Sequence, residues 1–149
     1  MDEADLLFQL DGDADVMKYI TLGIPRTMDE VIEKSMPRVL QSYQDKSDFG
    51  IFAAYLINSD EYIGWFQFEK DKEFEDSIEI GWRLKKQYWG NGYATEVATV
   101  LCDLGIRMGK TIVARAMIEN LASIRVMEKA GLKFEKEFWG DYDPVSYTH

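Results

Sequence analysis

The hydrophobic patterns along these 149 residues predict an α+β fold on a mixed sheet. Two observations predict it. Three strand-like segments fill residues 49–84 and are joined by short polar loops, as antiparallel strands are. After Gly92 the period lengthens to that of a helix, and a strand–helix–strand run follows, the mark of a crossover connection. No repeat, low-complexity tract or linker divides the chain, so one domain over residues 1–149 is expected.

The elements follow in order. Asp5-Leu6-Leu7-Phe8-Gln9-Leu10 has a helical pattern that Asp11-Gly12-Asp13 breaks, and a short helix through Val16–Ile20 is expected next. Pro25-Arg26-Thr27 sets up a further helix, with Thr27 as cap, Glu30 three residues on, and Val31, Ile32, Met36, Val39 and Leu40 as its apolar stripe. Pro37 inside that stripe predicts a kink. Phe49–Ile57 and Tyr62–Phe68 read as strands around the loop Asn58–Glu61. Beyond the charged stretch at Lys70–Glu75, Ser77–Leu84 alternates strictly, with Ile78, Ile80, Trp82 and Leu84 on one side and Glu79, Gly81 and Arg83 on the other. From Gly92, the residues Ala94, Val97, Leu101, Leu104 and Met108 predict one buried helix face. Gly109-Lys110 ends that helix. Thr111–Met117 is a strand, a helix runs from about Leu121 to Ala130 and closes at Gly131, and strands follow at Leu132–Phe138 and Val145–Tyr147.

Composition removes several chemistries. The only histidine is His149 and the only cysteine Cys102, so a Ser-His-Asp triad, a zinc ribbon and a paired-cysteine redox site are excluded, and no metal is expected. Cys102 sits in an apolar helical stretch, as a buried structural thiol does. No apolar run approaches the ~20 residues of a membrane span, and the acidic start Met1–Asp5 is not a signal peptide, which predicts no membrane partner and a cytoplasmic location. The net charge of −10 disfavours nucleic acid and favours cationic partners, although an acidic surface also serves plain solubility.

Two segments carry chemistry. Gln87-Tyr88-Trp89-Gly90-Asn91-Gly92-Tyr93-Ala94 joins a strand to a helix, and glycines two apart let backbone N–H groups converge on one point. The helix N-terminus adds partial positive charge, so a pyrophosphate fits, and a structural turn is the plainer alternative. No Gly-Lys-Ser/Thr follows, which disfavours a triphosphate with magnesium. One strand further on, Asn120-Leu121-Ala122-Ser123-Ile124-Arg125-Val126-Met127-Glu128-Lys129-Ala130-Gly131-Leu132-Lys133-Phe134 opens on a good N-cap.

The two segments in this order, matching from about Glu79 to Phe134, resemble the GNAT acetyltransferase superfamily, and more narrowly the branch of ribosomal-protein N-terminal (alanine) acetyltransferases. The resemblance implies a mostly antiparallel central sheet with helices on both faces, and acetyl-CoA in a cleft between splayed central strands. Gln87, Trp89, Gly90, Asn91, Gly92, Tyr93 and Ala94 then match the loop that binds the coenzyme A pyrophosphate. The strand Gly81–Leu84 matches the one that bonds the pantetheine arm, so Trp82, Arg83 and Leu84 are cofactor-binding positions, with an amide near Trp82 or Arg83 polarising the thioester carbonyl. Asn120 and Ser123 match positions beside the pantetheine and the departing sulfur.

The implied reaction is acetyl transfer to a primary amine, either a protein N-terminus or a small molecule. An ammonium must first lose a proton, and Glu79 matches a position where the family often carries its base; a solvent-facing glutamate is the alternative. Ser123 is the candidate proton donor to sulfur, because Met127 stands where many members carry a tyrosine. Tyr19, Ile20, Pro25, Trp65, Phe66 and Phe68 are candidates for the acceptor side, against an ordinary core role for the aromatic residues. A catalytically silent acyl-CoA-binding module is the other reading of the same motifs. The family usually opens with a strand before its first helix, whereas this chain starts almost on the helix and its last strand is short at His149. That predicts trimmed ends or a sheet completed by a partner chain, a homodimer being one arrangement that an open strand edge invites.

Overall fold

A computed structural model describes residues 2–44 and 47–137, and the backbone of 144–148. Phe138, the expected end of one strand, and His149 lie outside the described residues. Strand order is β1-β2-β3-β4-β6-β5, for β1 Gly50–Tyr55, β2 Tyr62–Lys70, β3 Ser77–Leu84, β4 Thr111–Met117, β5 Lys133–Glu137 and β6 Pro144–Thr148. The chain clusters into two compact units, Met1–Gln67 with Trp82–Trp89, and Phe68–Gly81 with Gly90–His149. No helix among the described residues is long and apolar enough to cross a membrane.

In the first unit, α1 (Glu3–Asp11) starts where the Asp2 carboxylate accepts from the Asp5 amide at 3.0 Å. Its residue Leu10 packs with Val16 and Tyr62, flanked by Leu6 and Trp65. The expected helix at Val16–Ile20 is instead a series of turns, in which the Met17 carbonyl accepts from the amides of Ile20, Thr21 and Gly23 at 2.9–3.1 Å. One carbonyl serving three donors rolls the chain into a knot rather than along an axis.

The box at Thr27 forms as expected. Thr27 Oγ1 accepts from the Glu30 amide at 3.2 Å, and Glu30 Oε2 accepts from the Thr27 amide at 2.9 Å. The short α2 (Met28–Glu30) passes into a π-helical turn at Val31–Ser35 and then α3 (Met36–Gln41). Pro37 has no N–H to return to the preceding turn, and just before it the Met36 amide reaches five residues back to the Val31 carbonyl. Val31 and Ser35 are buried, whereas Ile32 and Leu40 of the expected stripe are exposed. Close approach explains Gly64 of β2: a Cβ there would stand 2.1 Å from the Arg83 carbonyl oxygen.

β3, whose Ser77–Gly81 lie in the second unit, and β4 of that unit match their expected spans residue for residue. They pair in parallel over Ser77↔Thr111, Ile78↔Ile112 and Glu79↔Val113, and among the described residues the ladder ends there. β6 pairs antiparallel with β4 and with β5. α4 (Tyr93–Arg107) buries Ala98, Cys102 and Gly105, not the expected Leu104 and Met108, which are exposed. The helix lies so near the strands that only small residues fit beneath it. Ile78, Ile80, Ile112, Val113 and Met127 of α5 (Leu121–Lys129) complete this core, each large apolar side chain contributing about 1.5–3 kcal/mol.

Candidate active site

The expected site residues divide between the units. Glu79, Gly90, Asn91, Gly92, Tyr93, Ala94, Asn120 and Ser123 belong to the second; Trp82, Arg83, Leu84, Gln87 and Trp89 belong to the first.

At the loop before α4, Gly90 has φ +78° and Gly92 φ +80°, backbone that side chains other than hydrogen rarely adopt. A Cβ at either would meet nothing within 4 Å, so the space beside both glycines is open. Gly92 is the N-cap of the 15-residue α4 and supplies no side-chain cap. An exposed left-handed turn feeding an uncapped helix N-terminus presents amides and a positive dipole end to an anion. These residues fit a diphosphate of the kind acetyl-CoA carries.

Beyond the end of the β3–β4 ladder, Ile80 and Gly81 of β3 and Ala114–Met117 of β4 lie outside that pairing. Ala114–Met117 still pair with β6, so only the backbone groups on the facing sides of β3 and β4 are left for the amides of an extended arm such as pantetheine.

In the first unit, the Lys85 amide donates to the Ile63 carbonyl at 2.8 Å, and the Arg83 carbonyl abuts Gly64. Odd-numbered residues at this end of β3 therefore turn their backbone groups toward β2, and by strand alternation Trp82 and Leu84 turn theirs away. The Leu84 carbonyl is taken by the Trp89 indole N–H at 2.9 Å, so Trp89 braces the loop as well as fronting it.

The Arg83 side chain goes elsewhere. Its Nη1 donates to Asp11 Oδ1 at 2.6 Å, its Cζ lies over the Trp65 ring 5.0 Å from the ring centre, and burial pushes the guanidinium below its ordinary pKa against the pull of Asp11. Asp11 is fully buried, accepts from Ser35 Oγ at 2.5 Å and faces Arg26 Nη1 at 3.4 Å. Arg26 Nη1 in turn donates to Ser35 Oγ at 2.7 Å. Burial also pushes the Tyr62 phenol up, with Tyr55 and Asp11 adding to the shift. Phe66 and Phe68, considered for the acceptor side, are buried core; Tyr19, Ile20 and Trp65 are half-buried.

In the second unit, Glu79 is half-buried on β3, and its Oε2 accepts from Arg115 Nη1 at 2.5 Å. Arg115 also grips Asp71 with both prongs, at 2.6 and 3.1 Å, and reaches Glu73 at 3.2 Å. Asp71 hydrogen bonds hold Arg115 above its ordinary range. Burial would raise the Asp71 carboxyl, but the Arg115 hydrogen bond and the amides of Phe74 and Glu73 outweigh it and hold it below the usual range. The Asn120 side chain caps α5, accepting from the Ser123 amide at 3.3 Å, and Ser123 is half-buried one turn in. Met127 is core.

Sequence reasoning missed Asp11, Arg26, Ser35, Asp71 and Arg115. The available signal was charge in apolar surroundings, Arg115 within Ile112–Met117 and Asp11 next to Leu10.

Comparison with known proteins gives the family and the fold. Residues 1–133 match the family model for the acetyltransferase (GNAT) domain. The chain is 29% identical over 151 residues to the FsC-acetyl coenzyme A-N(2)-transacetylase of Aspergillus fumigatus, covering 93% of this chain and 62% of that protein's length. It resembles the crystal structure of a GNAT-family acetyltransferase from Bacillus anthracis at TM-score 0.77 and 28% identity, over 99% of this chain and 88% of that one. Aminoglycoside acetyltransferase AAC(6')-Ib, crystallised with coenzyme A and kanamycin, shares the fold at TM-score 0.73 and 23% identity, over 99% and 90% of the two chains. With the open glycine turn, the uncapped helix and the interrupted ladder all present, this chain belongs to the acetyltransferase (GNAT) domain family.

Proposed function

We propose that this protein transfers the acetyl group of acetyl-CoA to a primary amine, which attacks the thioester directly. The observation that carries the reading is the pair of left-handed glycines, Gly90 and Gly92, opening α4 without a side-chain cap. Acetyl-CoA supplies the activated acetyl group. Gln87, Trp89, Asn91, Tyr93 and Ala94 complete the loop that receives its diphosphate, and Trp82, Arg83 and Leu84 lie along its arm. The Trp82 amide, turned away from β2, donates to the carbonyl oxygen as negative charge grows there.

Glu79 takes the ammonium proton, directly or through water. Arg115, held by the two-pronged bond to Asp71, fixes the Glu79 carboxylate through its own hydrogen bond to Oε2. Asn120 places Ser123, whose hydroxyl hydrogen-bonds the departing sulfur.

The acceptor is a cationic amine, which the net charge of −10 attracts. The kanamycin complex of the aminoglycoside acetyltransferase supports a small molecule. A protein N-terminus is the other acceptor, as the likeness to the ribosomal-protein alanine branch suggests.

The test is titration of the purified chain with acetyl-CoA and with adenosine diphosphate, beside Gly90→Glu and Gly92→Glu. Thiol release is then followed with kanamycin, spermidine and an alanyl peptide, for the wild type and Glu79→Gln. Binding that both loop variants abolish, with amine-dependent turnover that Glu79→Gln lowers at least tenfold, is expected. Binding without turnover on any amine would leave a silent acyl-CoA-binding module. No binding by a folded protein would end the assignment.

A further inference from the structure

Asp11 is a charge with no exposed surface at the end of α1, and nothing in the proposed chemistry uses it. Around it stand two guanidiniums, Arg83 at 2.6 Å and Arg26 at 3.4 Å, and the Ser35 hydroxyl at 2.5 Å. One carboxylate faces two cations, and Arg83 Nε is buried with no partner among the described residues. Packed apolar side chains would fill the same space without this desolvation penalty, so stability alone is a poor reason for the cluster. An arrangement of this cost serves best where one geometry must be held.

What it holds is residue 83. The side chain is anchored by Asp11 and stacked on Trp65, while the carbonyl is pressed against Gly64, where a Cβ would come within 2.1 Å. The next carbonyl, that of Leu84, is tied to the Trp89 indole. A residue clamped by both side chain and main chain fixes the peptide plane that precedes it, that of the Trp82–Arg83 bond, and through the Trp82 Cα that the two planes share it constrains the next plane back, which carries the Trp82 N–H. Ser35, four residues from the buried Val31 and on the same helix face, bridges Asp11 and Arg26.

We propose that Asp11 is a positioning residue for acetyl transfer: acting through Arg83, it sets the orientation of the β3 main chain at Trp82. Ser35 orients Asp11. The inference rests on the reading of the Trp82 amide as donor to the thioester carbonyl.

The test is isotope-edited infrared spectroscopy of acetyl-CoA carrying a carbon-13 carbonyl, bound to the full chain, with titration and turnover measured in parallel. The wild type should lower the carbonyl stretching frequency relative to free acetyl-CoA. Asp11→Asn should return it toward the free value and lower kcat by roughly tenfold or more, less than the ~100- to 1,000-fold that losing a donor outright costs, with acetyl-CoA affinity within about threefold of wild type, since the diphosphate loop is untouched. Ser35→Ala should show a smaller change in the same direction, and Ser35→Thr should restore it. Should Asp11→Asn fail to fold, Ser35→Ala and Arg83→Lys carry the test. Folded variants with an unaltered carbonyl frequency would overturn the proposal and leave the acetyltransferase reading intact. A wild type that binds acetyl-CoA without shifting the frequency would overturn the inference and the amide's role together. A wild type that does not bind would overturn the function itself.

Discussion

Gly105 of α4 and Ile112 of β4 touch with no room to spare: a Cβ at position 105 would stand 2.1 Å from Ile112 Cδ1 and 3.6 Å from Ile78 Cδ1. The absence of a side chain sets how near the helix comes to the strands. Gly105→Ala gains about 1 kcal/mol of helix propensity but must displace the Cδ1 end of the buried Ile112 side chain. Overpacking costs about 1–3 kcal/mol, so the net loss should be no more than about 2 kcal/mol. Urea unfolding should show that loss, and an unchanged or raised midpoint would disprove it.

Gly92 has the opposite surroundings, a left-handed conformation with open space where a Cβ would go. Gly92→Ala should therefore cost only the left-handed penalty, about 1–2 kcal/mol. The proposed diphosphate approaches from this side, so acetyl-CoA affinity should fall more than stability does. Calorimetric titration beside thermal melts separates the two effects. Equal affinity for the two proteins would show that the ligand does not approach here.

Asp71 gives the fold an acid limit. Its folded pKa is lowered from 3.8, so the unfolded chain binds the proton more readily. The stability it contributes is whole above about pH 4 and is lost as pH falls through the lowered value. Asp71→Asn should melt earlier than wild type at pH 7, and the gap should narrow between pH 4 and the folded pKa. A gap independent of pH in that range would mean that the Arg115 pairing carries no stability.

Cys102 is 1% exposed, and burial pushes its thiol up to about 11. The native protein should react with a disulfide reagent at pH 8 only as fast as it opens, and fully in denaturant. Immediate stoichiometric labelling would place Cys102 at an accessible surface.

Local patterns in the sequence carried much of the fold. Ser77–Leu84 and Thr111–Met117 were legible end to end, because alternation and flanking turn residues are neighbour effects. So was the box of Thr27 and Glu30, three residues apart. Distance along the chain hid the rest. Asp11 looks like a helix breaker until Arg83, 72 residues on, closes over it. Arg115 looks like a strand residue until Asp71, 44 residues back, grips it. Polarity hid Ser35, since a stripe sought among apolar residues passes over a serine four places from Val31 on the same face. On α4 the search for large apolar residues pointed to Leu104 and Met108, while proximity to the strands selected Ala98, Cys102 and Gly105. Of the site, the glycine turn was readable because backbone geometry restricts residue choice there. The polar groups behind β3 were not, because their partners meet only after folding.

The insertion of β6 between β4 and β5 sets space against time. A ribosome delivers β5 first, with all five of its residues exposed and its one partner strand still unmade. Until residues 144–148 have emerged, β4 offers an open edge and β5 has nothing to join. Completion of this end of the sheet is therefore a late event, and a chain stalled between the two strands would present two sticky edges to its neighbours.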